Sequence, residues 1–204
     1  MQTIFFDLDG TLVDSLASIA TALNASRLVF GLDPLPDAEV CRCVGWGAKA
    51  LVERTAPAAV QEQLLAHYLA ELHAATPALF PGVVELLDAL RAAGRNRLVV
   101  ASNKPEDTLQ QLVVKLGLAQ YFDEVRGVGA FQPKPNPAIL ACEQRAVLVG
   151  DSEVDVQTAI AAGIPVVAVT YGFRTRAELV GATIIVDSVA EIREAVERLL
   201  GEEE

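Results

Sequence analysis

The sequence is poor in sulfur, in aromatic rings and in positive charge, and each shortage closes off a class of protein. Three cysteines, Cys41, Cys43 and Cys142, cannot build the disulfide framework of a small secreted scaffold. Cys41 and Cys43 flank one arginine and could begin a zinc site, but no second pair completes it, and His67 and His73 lie downstream in a helical stretch. They read as ordinary thiols. Lysine and arginine number 16 against 27 aspartates and glutamates, a net charge of −11. Such a balance disfavours nucleic acid and anionic membranes as partners. No uninterrupted apolar run of about 18 residues is present to span a bilayer, and no basic segment followed by an apolar one opens the chain. The expectation is a cytoplasmic protein with no nucleic-acid or membrane partner, in which a phosphate-bearing ligand is met by local positive charge. Nothing in the sequence specifies an oligomeric state.

What is present is apolar bulk, 52% of 204 residues, enough for a sizeable core. Residues 3–6 (TIFF) are β-branched and aromatic without polar alternation, the pattern of a strand buried on both faces of a parallel sheet. Ser15 is a plausible N-cap for a helix reaching about Phe30, with Gly31 as its C-terminal cap and Pro34 and Pro36 barring continuation. Further helices are expected near 37–44, 46–55 and 58–75. After Phe80-Pro81-Gly82 helix and strand alternate: helix 82–93, strand 97–101, helix 105–116, strand 124–127, a helix from Pro137, strand 146–149, helix 153–162, strands 165–169 and 183–186, and helix 189–200. This order predicts an α/β fold, a Rossmann-like parallel sheet with helices on both faces. Residues 1–14 and 80–204 form its core, and 15–79 are expected to sit outside the sheet as an inserted α-helical cap domain.

Ligands of open parallel sheets bind beyond the carboxyl ends of the strands. Strand 3–6 runs into Asp7-Leu8-Asp9-Gly10-Thr11, strand 97–101 into Ser102-Asn103-Lys104, and strand 146–149 into Gly150-Asp151-Ser152, with Asp155 one turn later and Lys134 in the connection before it. Taken singly, these acids are ordinary Asx turns and helix caps; three strand ends carrying them together point to a site. Four carboxylates in one pocket would repel by several kcal/mol without an intervening cation. Oxygen ligands suit Mg²⁺, which takes one or two carboxylates, keeps waters and binds phosphate oxygens. With a phosphate held there, a carboxylate such as Asp7 can attack phosphorus, and Asp9 can protonate the leaving oxygen and later activate water.

The constellation resembles the haloacid dehalogenase superfamily of phosphohydrolases, through DLDGT at 7–11, Ser102 of ASNK, Lys134 of KPNP and GDSEVD at 150–155. The stretches FDLDGTLVDS, VGWGAKAL at 44–51, and TYG at 170–172 are similar to those of phosphoglycolate phosphatases and close relatives. The resemblance implies an aspartyl-phosphate on Asp7, which is also a Mg²⁺ ligand, and acid/base work by Asp9, whose backbone carbonyl also touches Mg²⁺. It implies Asp151 as the carboxylate metal ligand, with Asp155 supporting the metal or its waters. Leu8, through its backbone, and Thr11, Ser102 and Asn103 would orient the phosphoryl group, and Lys134 would neutralise charge. Members that displace halide lack the second acid, so Asp9 favours phosphoryl transfer.

The substrate implied is a small phosphorylated metabolite, phosphoglycolate first among candidates. The alternatives are a phosphomutase using the same two aspartates, a phosphonatase requiring a cap lysine, and a non-catalytic protein of the same fold. In the cap, Gly45 to Lys49 could form a loop toward the site, with Lys49 meeting an anionic substrate tail; Arg174 and Arg176 read as surface charges. One departure stands out: Lys134 and Asp151 are 17 positions apart, which leaves a helix of about two turns and almost no loop before the strand.

Overall fold

The structure is a computed structural model that describes residues 2–201. Its centre is a six-stranded sheet in the order β5-β4-β1-β6-β7-β8, all pairs parallel. The strands are β1 (Gln2–Phe6), β4 (Asn96–Pro105), β5 (Glu124–Val128), β6 (Ala146–Gly150), β7 (Val166–Val169) and β8 (Ile184–Val186). The chain builds outward from β1 through β4 to β5, then crosses back to place β6 on the other side of β1. Strand order therefore reverses at β1, and the crevice above β1 and its neighbours is where such a sheet binds ligands.

Both faces of the sheet are buried, as the unbroken apolar strands require. Ile4 and Phe6 of β1 point into one layer with Leu98, Val100, Val147 and Val149. That layer is covered by α5 (Val83–Ala92), α6 (Glu106–Lys115) and α8 (Val189–Leu200). Phe5 points the other way, with Val99, Ala101 and Leu148, toward α7 (Glu153–Ala162).

The helix expected from Pro137 is a single 3-10 turn, Pro137–Leu140. Asn136 caps it by accepting a hydrogen bond from the Ala138 amide at 3.0 Å, and Ala141 is already extended. With Ala146 committed to β6, too few residues remain for an α-helix. Arg126 fills the space: its guanidinium lies about 5.3 Å from the Phe5 ring centre and 5.2 Å from that of Phe131. It also donates to the carbonyls of Ile139 and Ala141 at 2.9 Å.

Between β1 and α5 the chain leaves and returns through β2 (Val13–Asp14) and β3 (Ala78–Leu79), a two-residue antiparallel pair that helical periodicity did not predict. The intervening helices are α1 (Leu16–Val29), α2 (Asp37–Cys43), α3 (Ala48–Thr55) and α4 (Gln61–Ala74). They bury a cluster of their own, Ile19, Leu23, Val40, Leu51, Val52 and Leu64 among its members. Ser15 precedes α1, but its backbone is near-helical and its hydroxyl makes no cap bond; instead Ser18 donates to the Ser15 carbonyl at 2.8 Å. Arg27, in the last turn of α1, is buried and donates to the Asp33 carbonyl at 2.8 Å and to that of Thr55.

Phe6 is fully buried and meets Phe122 edge-on, ring centres 6.2 Å apart. Phe6→Ala should lower stability by about 3–5 kcal/mol through lost transfer and an unfilled cavity. The measurement is a denaturant titration in which the midpoint falls; a shift under about 1 kcal/mol would show that this layer refills around the gap.

Candidate active site

Asp7 extends β1 by one residue, its amide donating to the Val149 carbonyl at 2.9 Å, which fixes its carboxylate beside the end of β6. Asp151 follows β6 directly, and Asp155 lies in the first turn of α7. The reciprocal bonds of Ser152 orient Asp155: its carboxylate accepts from the Ser152 amide (3.1 Å) and hydroxyl (2.6 Å), while the Asp155 amide donates to Ser152 Oγ (3.3 Å). This capping box satisfies the helix start and presents the acid in one rotamer. Ligand atoms of Asp7, Asp151 and Asp155, all buried, lie within 4.8 Å of one another.

Lys134 reaches this cluster from the connection between β5 and β6. Its Nζ stands 2.6 Å from Asp155 Oδ1 and 2.9 Å from Asp7 Oδ1. Asn103 holds the backbone of Lys134 from the end of β4, accepting from the Lys134 amide at 2.7 Å and donating to its carbonyl at 3.1 Å. The shortened connection therefore leaves Lys134 beside Asp7.

Asp151 is fixed from two further directions. Its carboxylate accepts from Thr11 Oγ1 at 3.2 Å and from the Phe173 amide at 2.7 Å. The Tyr171 hydroxyl donates to the Thr11 carbonyl at 2.8 Å. Gly10, at φ +79°, lies against the Asp151 carboxylate so closely that an added Cβ would overlap it, and a Cβ on Gly172 would overlap both Asp151 and the Gly10 carbonyl. These two glycines make the space that the acid occupies.

Asp9 stands apart from the three-carboxylate cluster. Its Oδ2 lies 2.6 Å from Lys104 Nζ, a nearly buried ion pair, and its Oδ1 is buried without a hydrogen-bond partner. Ser102 lines the same pocket and accepts weakly from the Lys104 amide at 3.4 Å. The Leu8 side chain is buried in the core, while its carbonyl takes the amides of Thr11, Leu12 and Val13, folding the chain back after Asp7. Asp7, Asp9, Ser102, Asn103 and Asp151 thus line one cavity with Gly45, Gly47 and Tyr68 of the helical insertion.

Lys49 is not among these residues. It is 81% exposed and faces Glu53 at 3.8 Å, one turn along α3. The loop preceding it does reach the site: Asn103 donates to the Gly45 carbonyl at 3.1 Å. Arg174, expected at the surface, is buried. It pairs with Glu153 at 2.6 Å and donates to the carbonyls of Cys41 (3.0 Å) and Val44 (2.7 Å), tying the helical insertion to the sheet. Arg176 is exposed, paired with Asp187. Sequence reasoning gave Lys104 and Arg174 no such roles. Lys104 had a readable signal, since it lies two positions beyond Ser102 on a strand and so shares its side; Arg174 had none, because its partners are distant carbonyls.

The electrostatics call for a cation. Four carboxylates face two ammonium groups, leaving two formal negative charges in a buried site. Burial, offset in part by Lys134 and reinforced by Asp155 and Asp9, pushes Asp7 up to about 7. Asp151 is also held well above the usual carboxylate range by burial and by the charges of Asp155 and Asp7, against the Phe173 amide. Burial works against the Lys134 ammonium too, but Asp155 and Asp7 outweigh it and keep its pKa above that of an ordinary lysine. Asp7 Oδ1, although close to Lys134, accepts no aligned hydrogen bond. Hard carboxylate donors, excess negative charge and an unsatisfied oxygen fit a divalent cation. Asp155 has one oxygen on the Lys134 ammonium and the other on two donors of Ser152, whereas each Asp151 oxygen accepts a single neutral donor, so Asp7 and Asp151 are the acids with more capacity left to bind such an ion directly.

The family model of haloacid dehalogenase-like hydrolases matches residues 4–169. The chain belongs to that family. Among curated relatives, the phosphoglycolate phosphatase of Rhodospirillum rubrum is 39% identical over 216 positions, covering 94% of this chain and 89% of the relative. That of Caulobacter vibrioides is 37% identical, with 97% and 92% covered. A crystal structure from Haemophilus somnus 129pt, described as a predicted phosphoglycolate phosphatase, superposes with a TM-score of 0.84 at 29% identity, covering 95% of this chain and 96% of its own. A crystal structure from Clostridium acetobutylicum, described as a predicted phosphatase, gives 0.87 at 27% identity, with 97% and 99% covered. Among the described residues of this family member, no helix is long and apolar enough to cross a membrane.

The acids set a pH dependence. In protein stripped of divalent cations by a chelator, stability should fall as pH rises from about 4 toward 7. In that window native Asp7 retains a proton that the unfolded chain, with an ordinary carboxyl of 3.8, has already lost. Thermal denaturation at successive pH values reads the slope, and Asp7→Asn should reduce it; an identical slope in the variant would assign the effect elsewhere. Arg174→Ala should cost about 1–3 kcal/mol by leaving buried carbonyls unpaired. Hydrogen exchange should then rise in α2 and the loop after it, and unchanged protection there would show that other contacts hold the insertion.

Proposed function

We propose that this protein is a Mg²⁺-dependent phosphatase that hydrolyses a small phosphomonoester through an aspartyl-phosphate on Asp7, with phosphoglycolate as first candidate. The observation that carries the reading is the meeting of Asp7, Asp151 and Asp155 with Lys134 beyond the carboxyl ends of β1 and β6. Family membership and the names of the relatives support the same chemistry. Residues 15–79 act as a cap over the site, consistent with Gly45, Gly47, Leu51 and Tyr68 lining its cavity.

Asp7 and Asp151 would hold the cation, with Asp155 behind them. Bound there, Mg²⁺ supplies positive charge that keeps Asp7 ionised and draws electron density from the phosphoryl oxygens. Lys134 adds fixed positive charge beside the nucleophile. An Asp7 oxygen forms a bond to phosphorus as the bond from phosphorus to the ester oxygen breaks, and Asp9 gives its proton to the departing oxygen. Asp9 then takes a proton from water, the hydroxide forms a new bond to phosphorus, and inorganic phosphate leaves as the Asp7 carboxylate is regenerated. Ser102 and the backbone after Asp7 orient the phosphoryl group, Thr11 holds Asp151 in place, and Asn103 does the same for Lys134. The cavity, about 50 Å³, has room for only a few water-sized groups, which favours a short leaving group.

Phosphate release from phosphoglycolate should require Mg²⁺ and be lost on chelation. Asp7→Asn should lower kcat by roughly 10³-fold or more, and Asp9→Asn by about 10²–10⁴-fold, with a slowly formed and slowly cleared phosphoenzyme in the second case. Equal turnover in Asp7→Asn and the unsubstituted protein would sink the nucleophile assignment.

A further inference from the structure

We propose that Lys104 is the specificity-determining residue of this site, binding an anionic group, a carboxylate in the first instance, on the leaving-group side of the substrate. The inference rests on the phosphatase reading and adds the residue that chooses the substrate class. Lys104 is nearly buried at the end of β4, and its Nζ is held 2.6 Å from Asp9 Oδ2. It lines the active-site cavity with Asp9 and Ser102, facing Gly47, Tyr68 and Leu72 of the cap.

The other cations near this space are committed elsewhere. Lys134 bridges Asp7 and Asp155 on the phosphoryl side. Arg174 is spent on Glu153 and two carbonyls, Arg54 lies over the Trp46 ring, and Lys49 faces solvent. Among the described residues lining that cavity, Lys104 is the one cationic side chain. Apolar and glycine residues of the cap, Leu51, Leu72, Gly45 and Gly47, offer a leaving group no other charge.

The pair with Asp9 explains how an ammonium is kept in so enclosed a place before ligand arrives: a buried charge needs a counter-ion. A carboxylate entering from the ligand offers a further partner, so Lys104, with three N–H donors, can exchange one of its contacts for it while keeping Asp9 paired. It also has room to turn, because it borders a second cavity of about 280 Å³ shared with Leu72, His73 and Lys115. A neutral leaving group offers no such exchange and is discriminated against.

The test compares phosphoglycolate with 2-hydroxyethyl phosphate, which keeps the ester oxygen and chain length but replaces the carboxylate by a neutral alcohol. The unsubstituted enzyme should favour phosphoglycolate in kcat/KM. Lys104→Gln should reduce that preference by roughly 10- to 100-fold, mainly through KM, and Lys104→Arg should retain part of it. Calorimetric binding of both compounds to Asp7→Asn, with and without Lys104→Gln, reads the same preference without turnover. A preference unchanged by Lys104→Gln in both measurements would overturn the proposal. Loss of the binding preference would support it even where no phosphate is released, a result that would instead count against the phosphatase reading.

Discussion

A lysine ammonium held between two buried carboxylates is the contact on which this site depends. Asp7 arrives from the end of β1 and Asp155 from the start of α7, and neither is fully compensated by hydrogen bonds alone. Lys134, 2.9 Å from Asp7 and 2.6 Å from Asp155, makes their approach tolerable. Breaking a buried pair by removing one member typically costs about 3–5 kcal/mol because the survivor is stranded. Lys134 is itself placed by Asn103, which takes its amide and gives to its carbonyl. The end of β4 therefore positions the cation that allows the ends of β1 and β6 to carry acids.

The same economy runs through the packing around Asp151. Its carboxylate is held by a hydroxyl from the turn after β1 and an amide from the loop after β7. Gly10 and Gly172 contribute by having no side chain, since a methyl group at either would occupy the volume of the acid. A glycine that reads in sequence as a turn residue is, in three dimensions, the negative imprint of a carboxylate delivered by another strand.

Much of this was legible in the sequence because its causes are local. Strands buried on both faces are unbroken apolar runs, and the parallel order follows from their alternation with helices. The acids stood out because polar residues at several strand ends converge on one edge. What stayed hidden depends on distant partners. The turn at Pro137 has helical composition, but the number of residues before β6 rules out a helix. The capping role of Ser15 failed because the backbone there is already near-helical. Lys49 looked like a ligand-facing residue because its loop does approach the site, yet its place on α3 turns it to solvent beside Glu53. Arg174 looked like surface charge because nothing nearby in the sequence announces the carbonyls of Cys41 and Val44.

Two residues from the sheet's loop edge grip adjacent positions of the loop between α2 and α3: Arg174 holds the Val44 carbonyl and Asn103 that of Gly45. Both bonds are made to main-chain oxygens, which every amino acid possesses. The bonds themselves are therefore indifferent to side-chain identity, although Gly45 (φ +108°) and Gly47 (φ +89°) hold left-handed backbone that favours glycine. Other residues of this loop can be exchanged, and the surface offered to the ligand rewritten, while the attachment beside Asn103 is inherited intact. Attachment through the backbone thus separates the evolution of selectivity from the preservation of catalysis.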